Sequence, residues 1–317
     1  MRKTPDAACL GNKGKNLHMK TAVIGIGSNS VRMLEAELAD NAMTRLKRDR
    51  AGTRLFAGLD ESNRLRQDSM RKTADAVEAM ARTARADGME HTDLFATSAA
   101  RDADNSADFA ALLSKRTGLY LKILTGEEEA RLSFLGATGG RDGYCGVVDI
   151  GGGSTELVTG MGGRVQRAVS CQIGAVRLYE SIPIKSAADL ETVVHAAAET
   201  VSQYTACWKG AELPDKWFGT GGTFTALAAV AAGVHWLDRS HTEGMRLDVP
   251  LVRGIGIRLA GMSAEERGRM ESLQPGRADI VVHGIGILIG VMEALKMPAI
   301  QVTEYGNLDG WLLDKAR

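Results

Sequence analysis

One short pattern occurs twice in the chain, and it constrains the architecture more than any other feature. Residues 24–33 read Ile-Gly-Ile-Gly-Ser-Asn-Ser-Val-Arg-Met, and residues 148–157 read Val-Asp-Ile-Gly-Gly-Gly-Ser-Thr-Glu-Leu. Each is an apolar run, a loop of small residues and a return run, the pattern of two strands joined by a tight turn. Gly27 falls on Gly151 and Ser30 on Ser154. Two copies of one supersecondary unit predict a duplicated fold, two halves with a cleft between them. Such loops leave backbone N–H groups free of side-chain bulk, and nests of that kind take phosphate oxygens. A third small loop, Thr220-Gly-Gly-Thr223, follows another apolar run. Either hairpin loop alone reads as an ordinary turn; the set of three points to phosphate.

A chain of 317 residues is long for one core and comfortable for two. The 37 glycines against 6 prolines fit tight turns and close approaches better than disordered linkers. With 39 basic and 39 acidic side chains, composition gives no support to nucleic-acid binding. Cys9, Cys145, Cys171 and Cys207 are spaced for neither a zinc site nor a disulfide framework, so reduced thiols are expected. Residues 1–20 lack the apolar run of a signal peptide. The most apolar stretch, 280–295, carries His283 and Glu293 and is short for a membrane span; it reads as a buried helix. A cytoplasmic protein with no membrane partner is the expectation.

Along the chain, residues 1–19 read as a flexible tail, with Met19 a candidate start. Strands are predicted at 21–26, 31–38, 94–97, 120–124, 145–150, 156–159, 164–172 and 216–219. Met70, Ala74, Val77, Ala81 and Ala84 step at helical spacing over 69–87, with Gly88 at the C-terminal cap position. Gly126-Glu-Glu-Glu129 opens another helix. Ser186 and Asp189 resemble a capping box before a helix whose face carries Leu190, Val194, Ala197, Val201, Tyr204 and Trp208. The first half is expected over 20–135, the second over 136–305, and residues 306–317 form a helix returning to the first half.

The ordered motifs Gly27-Ser-Asn-Ser30, Ala96-Thr-Ser-Ala-Ala-Arg-Asp102 with Asn105, Gly126-Glu-Glu-Glu-Ala-Arg131, Asp149-Ile-Gly-Gly-Gly-Ser-Thr-Glu156 and Gly219-Thr-Gly-Gly-Thr223 carry a resemblance. Gly276-Arg-Ala-Asp279 and Gly306 to Gly310 also fit. Over roughly residues 20–317 the chain resembles the exopolyphosphatase / guanosine-pentaphosphate phosphatase family of the actin-like ATPase superfamily. The resemblance implies an α/β fold with two ribonuclease-H-like domains and a cleft, and a short form without the extra helical domain of longer members. It implies release of terminal orthophosphate from inorganic polyphosphate or guanosine pentaphosphate. Dimerisation is common in the family, so a homodimer is a further expectation.

Breaking a phosphoanhydride takes an in-line water, a group to orient or deprotonate it, and positive charge on the phosphoryl oxygens. The resemblance puts the water-activating carboxylate at Glu129 and a phosphate-contacting arginine at Arg101; a surface pair of Arg101 with Asp102 or Asp104 is the competing reading. Glu127 and Glu128 suit the helix dipole. Asp149 and Glu156 straddle the second loop, where hard oxygen ligands suit Mg²⁺; Asp149 capping its own loop and Glu156 on a solvated face are the bland alternatives. Ser28, Asn29, Ser30, Gly151, Gly152, Gly153, Ser154, Gly221, Gly222 and Thr223 are the candidate phosphate binders. Arg277 and Asp279 read as a structural pair.

One position departs from the family pattern. Both the family and the repeat place an aspartate two residues before the glycine of the first loop, and here that residue is Gly25. The loss of a carboxylate keeps open a second reading, a binder or sensor of polyphosphate, alarmone or nucleotide that does not turn it over. A sugar kinase of the same superfamily is disfavoured by the glutamates at 127–129, and a chaperone-type ATPase by the absence of a substrate-binding domain.

Overall fold

The computed structural model describes residues 18–39, 42–59 and 62–317. Of the tail expected over 1–19, all but His18 and Met19 lies outside them, and these two are the first rungs of a strand rather than tail. A five-stranded sheet carries the first copy of the repeat. Its order is β3-β2-β1-β4-β5, with β1 His18–Ile26, β2 Ser30–Ala39, β3 Ala42–Gly52, β4 His91–Ala96 and β5 Leu121–Ile123. A six-stranded sheet carries the second, in the order β10-β11-β9-β6-β7-β8. Its strands are β6 Tyr144–Ile150, β7 Thr155–Met161, β8 Arg164–Cys171, β9 Trp217–Thr220, β10 Arg246–Asp248 and β11 Ala299–Val302. Both begin with three antiparallel strands and then add parallel ones, β4 and β5 in the first, β9 and β11 in the second. The duplication read from two decapeptides thus extends to whole sheets.

The strand β3 is the element the sequence does not announce. Its residues, Ala-Met-Thr-Arg-Leu-Lys-Arg-Asp-Arg-Ala-Gly, are mostly exposed. It is an edge strand, and edge strands are charged on both faces, so no period-2 apolar alternation remains to be read. β10 is too short to show a period.

The helices, in chain order, are α1 Gln67–Ala86, α2 Ser98–Arg101, α3 Ser106–Thr117, α4 Gly126–Thr138, α5 Ala175–Ser181, α6 Asp189–Tyr204, α7 Gly222–Ala232, α8 Val249–Ala260, α9 Ala264–Gly268, α10 Val281–Ala294 and α11 Asn307–Lys315. α1 buries Met70, Ala74, Val77, Ala81 and Ala84, the residues expected on its inner face. The run at 280–295 is the buried helix α10, packed on α6 in the core of the second half. Among the described residues no helix is long and apolar enough to cross a membrane. Half of the capping box expected at Ser186 is formed: Asp189 accepts from the Ser186 amide at 2.8 Å and also from that of Lys185, but α6 starts after Ala188 and the Ser186 hydroxyl donates to Asp189 rather than capping an amide. Tyr204, expected on the buried face, is exposed, because it ends the helix. Cys145 and Cys171 are buried free thiols, whereas Cys207 is exposed and Cys9 lies outside the described residues.

Two helices form the layer between the sheets. α4 packs on β6, β7, β8 and β9, and α11 packs on β1, β2 and β3. Residue 135, where the halves were divided, falls inside α4. Phe134 and Ala137 of α4 sit in an apolar cluster with Val147, Val158 and Phe218. Leu308 and Leu312 of α11 sit in another with Val23, Leu34 and Phe95. Fully burying such side chains is worth about 1.5–3 kcal/mol each. The two helices touch backbone to backbone: a Cβ on Gly136 would fall 1.9 Å from the Gly306 carbonyl oxygen, and one on Gly310 would fall 1.9 Å from that of Leu132.

Candidate active site

The two hairpin loops have the same internal bond. Gly27 donates its amide to the Ser30 carbonyl at 3.0 Å, and Gly151 donates to that of Ser154 at 2.9 Å. They meet face to face. A Cβ on Gly152 would lie 2.8 Å from Ser28 Cβ, and one on Gly153 would lie 2.7 Å from Ser98 Oγ. Glycine is required there by the approach of the other half. Ser28 Oγ and Ser98 Oγ are hydrogen-bonded at 2.8 Å.

The loops line a small, polar cavity of about 60 Å³. Of the residues expected to bind phosphate, Ser28, Asn29, Ser30, Gly151, Gly152, Ser154, Gly221 and Gly222 line it. Gly153 lies behind, against Ser98, and Thr223 is buried in the first turn of α7, where it meets Gly284. These two are therefore not brought to the cavity wall with the other expected phosphate binders.

Three carboxylates converge on the same place. Glu129 sits one turn into α4, a helix whose start is fixed by Thr125 and Glu128 in a reciprocal capping box. That cap is the role of Glu128, while Glu127 stays exposed. Asp149 and Glu156 face one another across the β6–β7 rung. Asp149 accepts from Ser133 Oγ at 2.6 Å, not from its own loop, and Glu156 accepts from Ser170 Oγ at 2.8 Å. Glu156 is only 1 % exposed, so it is no solvated strand residue, and it lies behind the cavity wall rather than on it.

Burial pushes the Glu129 carboxyl up to about 7, opposed by Arg101 and reinforced by Asp149. Burial raises Asp149 as well. Glu156 is pushed well above the usual range, first by burial and then by Glu129 and Asp149. Like charges brought together away from water favour protons unless a cation takes their place. Among the described residues no three His, Cys, Asp or Glu side chains stand close enough to cage an ion alone. Asp149 and Glu156 as a pair still fit Mg²⁺, which takes one or two carboxylates and completes its shell with waters and substrate phosphates.

Arg101 turns inward. Its Nη1 donates to Glu129 Oε2 at 3.1 Å and to the Leu124 carbonyl at 3.0 Å, and Asp102 is 3.9 Å away. It stands outside the cavity lined by the loops, behind Glu129. Asp102 pairs instead with Arg177 of α5 at 2.7 Å, tying α2 to the second loop, whose Gly153 carbonyl accepts from Arg177 Nε at 2.9 Å.

Several wall residues were not among the candidates. Arg32, Thr97, Ser98, Arg277 and Asn307 line the cavity. Arg32 donates to Asn307 Oδ1 at 3.1 Å. Arg277 does not pair with Asp279, which bonds Arg54 at 2.7 Å; it lies against Gly222, with Gln274 accepting from its Nε. Burial and the nearby Arg32 lower Arg277 to about 10. Arg50 of β3 donates to Gln274, and burial with Arg277, Arg32 and Arg239 around it lowers it to about 8. Its Nε is buried with no hydrogen-bond partner. Cations crowded this way lack an anion. Arg32 had a signal, since it is the first copy's counterpart of Glu156; Arg50, on an unannounced edge strand, had none.

The missing aspartate also has a structural context. A Cβ on Gly25 would lie 2.8 Å from Leu308 Cδ2 and 3.0 Å from Phe95 Cζ. The place of the carboxylate is filled by packing from α11, so restoring an acid there does not simply restore a ligand.

The model of the Ppx/GppA phosphatase family matches residues 35–317. Exopolyphosphatase 2 of Mycobacterium tuberculosis is 31% identical over 316 residues, covering 94% of this chain and 98% of that protein. The guanosine-5'-triphosphate,3'-diphosphate pyrophosphatase of Vibrio vulnificus is 29% identical over 88% of this chain but only 56% of its own length. Among solved structures, the Ppx/GppA family member of Aquifex aeolicus superposes with a TM-score of 0.79 at 27% identity, covering 94% of this chain and 98% of that one.

Proposed function

The chain belongs to the Ppx/GppA phosphatase family, and from that premise we propose that it is a hydrolase that removes the terminal orthophosphate from inorganic polyphosphate or from guanosine pentaphosphate. The observation that carries this reading is the pair of facing Gly/Ser loops with Glu129 at the edge of the cavity they enclose. The loops' amides and Ser28, Ser30 and Ser154 hold the phosphate chain. Arg32 and Arg277 on the wall supply the positive charge that a polyanion needs, with Arg50 adding to it from behind.

Glu129 orients a water in line with the terminal phosphorus and takes its proton. The water oxygen bonds to phosphorus as the bridging P–O bond breaks. The products are orthophosphate and a chain shorter by one unit. Asp149 and Glu156 would hold a divalent ion, Mg²⁺ by the chemistry of the donors, which would supply positive charge against the substrate phosphates. Arg101 holds Glu129 in place through Nη1.

The alternative of a silent binder rests on Gly25. Glu129, Asp149, Glu156 and Arg101 are nevertheless assembled in one place, which a binding site does not require, so hydrolysis is the better reading. The direct test is phosphate release from long-chain polyphosphate and from guanosine pentaphosphate, with and without Mg²⁺, for wild type and Glu129→Gln. Metal-dependent release lost in Glu129→Gln supports the reading; ligand binding without release by wild type on both substrates overturns it.

A further inference from the structure

A second concavity opens between the first turn of α4 and β8, lined by Arg101, Gly126, Glu127, Ser170, Gln172 and Tyr204. It approaches the phosphate cavity from behind. Glu129 belongs to one wall and Arg101 to the other, and the two are bonded at 3.1 Å. Ser170, on the wall of the second, is bonded to Glu156. Arg101, bonded to Glu129, and Ser170, bonded to Glu156, therefore stand between the carboxylates and an open cleft. Arg101 Nη2 is buried without a partner, a free donor set in the partition between two spaces.

We propose that this cleft is the way out for orthophosphate, with Arg101 as the gate that passes it. The inference rests on the hydrolase reading. In-line attack places the water and the leaving group on opposite sides of phosphorus. The leaving chain still fills the loops when the bond breaks, so orthophosphate forms on the Glu129 side with the shortened chain blocking its retreat. The remaining route runs past Arg101, whose unpartnered Nη2 meets the anion on the way. The substrate enters by the loops and the product leaves by the cleft, so the chain need not let go between cuts.

The test separates cleavage from release. Cleavage of polyphosphate in a single turnover is followed by rapid acid quench, and free orthophosphate by a fluorescent phosphate-binding sensor. Tyr204 lies at the mouth, away from the reacting atoms. Tyr204→Glu is expected to leave cleavage within about two-fold of wild type and to slow release by about five-fold or more, through repulsion of a dianion in a narrow passage. Tyr204→Lys is expected not to slow it. Release that keeps pace with cleavage in Tyr204→Glu overturns the exit route while leaving hydrolysis intact. No cleavage by wild type fails the hydrolase reading, and the exit route with it.

Discussion

Leu308 Cδ2 stands 2.8 Å from the point a Cβ on Gly25 would occupy. An aspartate at 25 would meet a methyl group and the edge of Phe95 inside an apolar cluster. Gly25→Asp is therefore expected to gain no activity and to lose stability, with overpacking alone costing about 1–3 kcal/mol and the buried acid adding to it. Denaturant unfolding beside a phosphate-release assay checks this; a variant at least as stable as wild type and faster would show that α11 yields and that the acid finds a cation.

Glu129→Gln is expected to lower turnover by roughly 10²–10⁴-fold, the usual worth of a general base. The same substitution should stabilise the metal-free protein. Burial holds the proton on Glu129 up to about 7, against an ordinary 4.5. The folded state thus binds more protons than the unfolded one between these values, and stability falls as pH rises through that window. Glutamine removes the effect, so the stability of the variant relative to wild type should rise with pH between about 4.5 and about 7. Denaturant titrations at a series of pH values, with chelator present, measure it.

Asp149→Asn and Glu156→Gln are each expected to raise the Mg²⁺ concentration for half-maximal activity by about ten-fold or more, since each leaves one anionic ligand of two. A chelator should abolish wild-type release, and added Mg²⁺ should restore it. Activity indifferent to chelator would exclude the metal assignment.

Gly310→Ala and Gly136→Ala each force a methyl group into a backbone carbonyl of the partner helix. Both are expected to destabilise by at least about 2 kcal/mol. Both should also weaken substrate binding, because α11 carries Asn307 and with it the bond to Arg32. Thermal unfolding and KM report the two effects separately.

The loops were readable because their chemistry is local: glycine and serine at repeated spacing mean the same thing wherever the strands end up. Glu129, Asp149 and Glu156 were placed by resemblance and by the repeat. Arg277 and Asn307 were not legible as cavity residues, since they reach the site from helices and loops far along the chain. Arg50 lies on a strand whose charged sequence hides its pairing. Arg32 was within reach. On the rung where the second copy has Asp149 and Glu156, the first has Gly25 and Arg32. Duplication preserved the scaffold and reversed the charge, making one wall of the cavity acidic and the other basic.

The crossing of α4 and α11 has a consequence for synthesis. Residues 126–138 leave the ribosome long before residues 307–315, yet the glycine groove at Gly136 is shaped to receive the later helix. Until that helix arrives, Asn307 is missing from the wall, Leu308 has not sealed the space beside Gly25, and the two sheets lack half of the layer that joins them. A nascent chain can form both hairpin loops and still lack part of the cavity wall, so completion of the candidate site waits on α11.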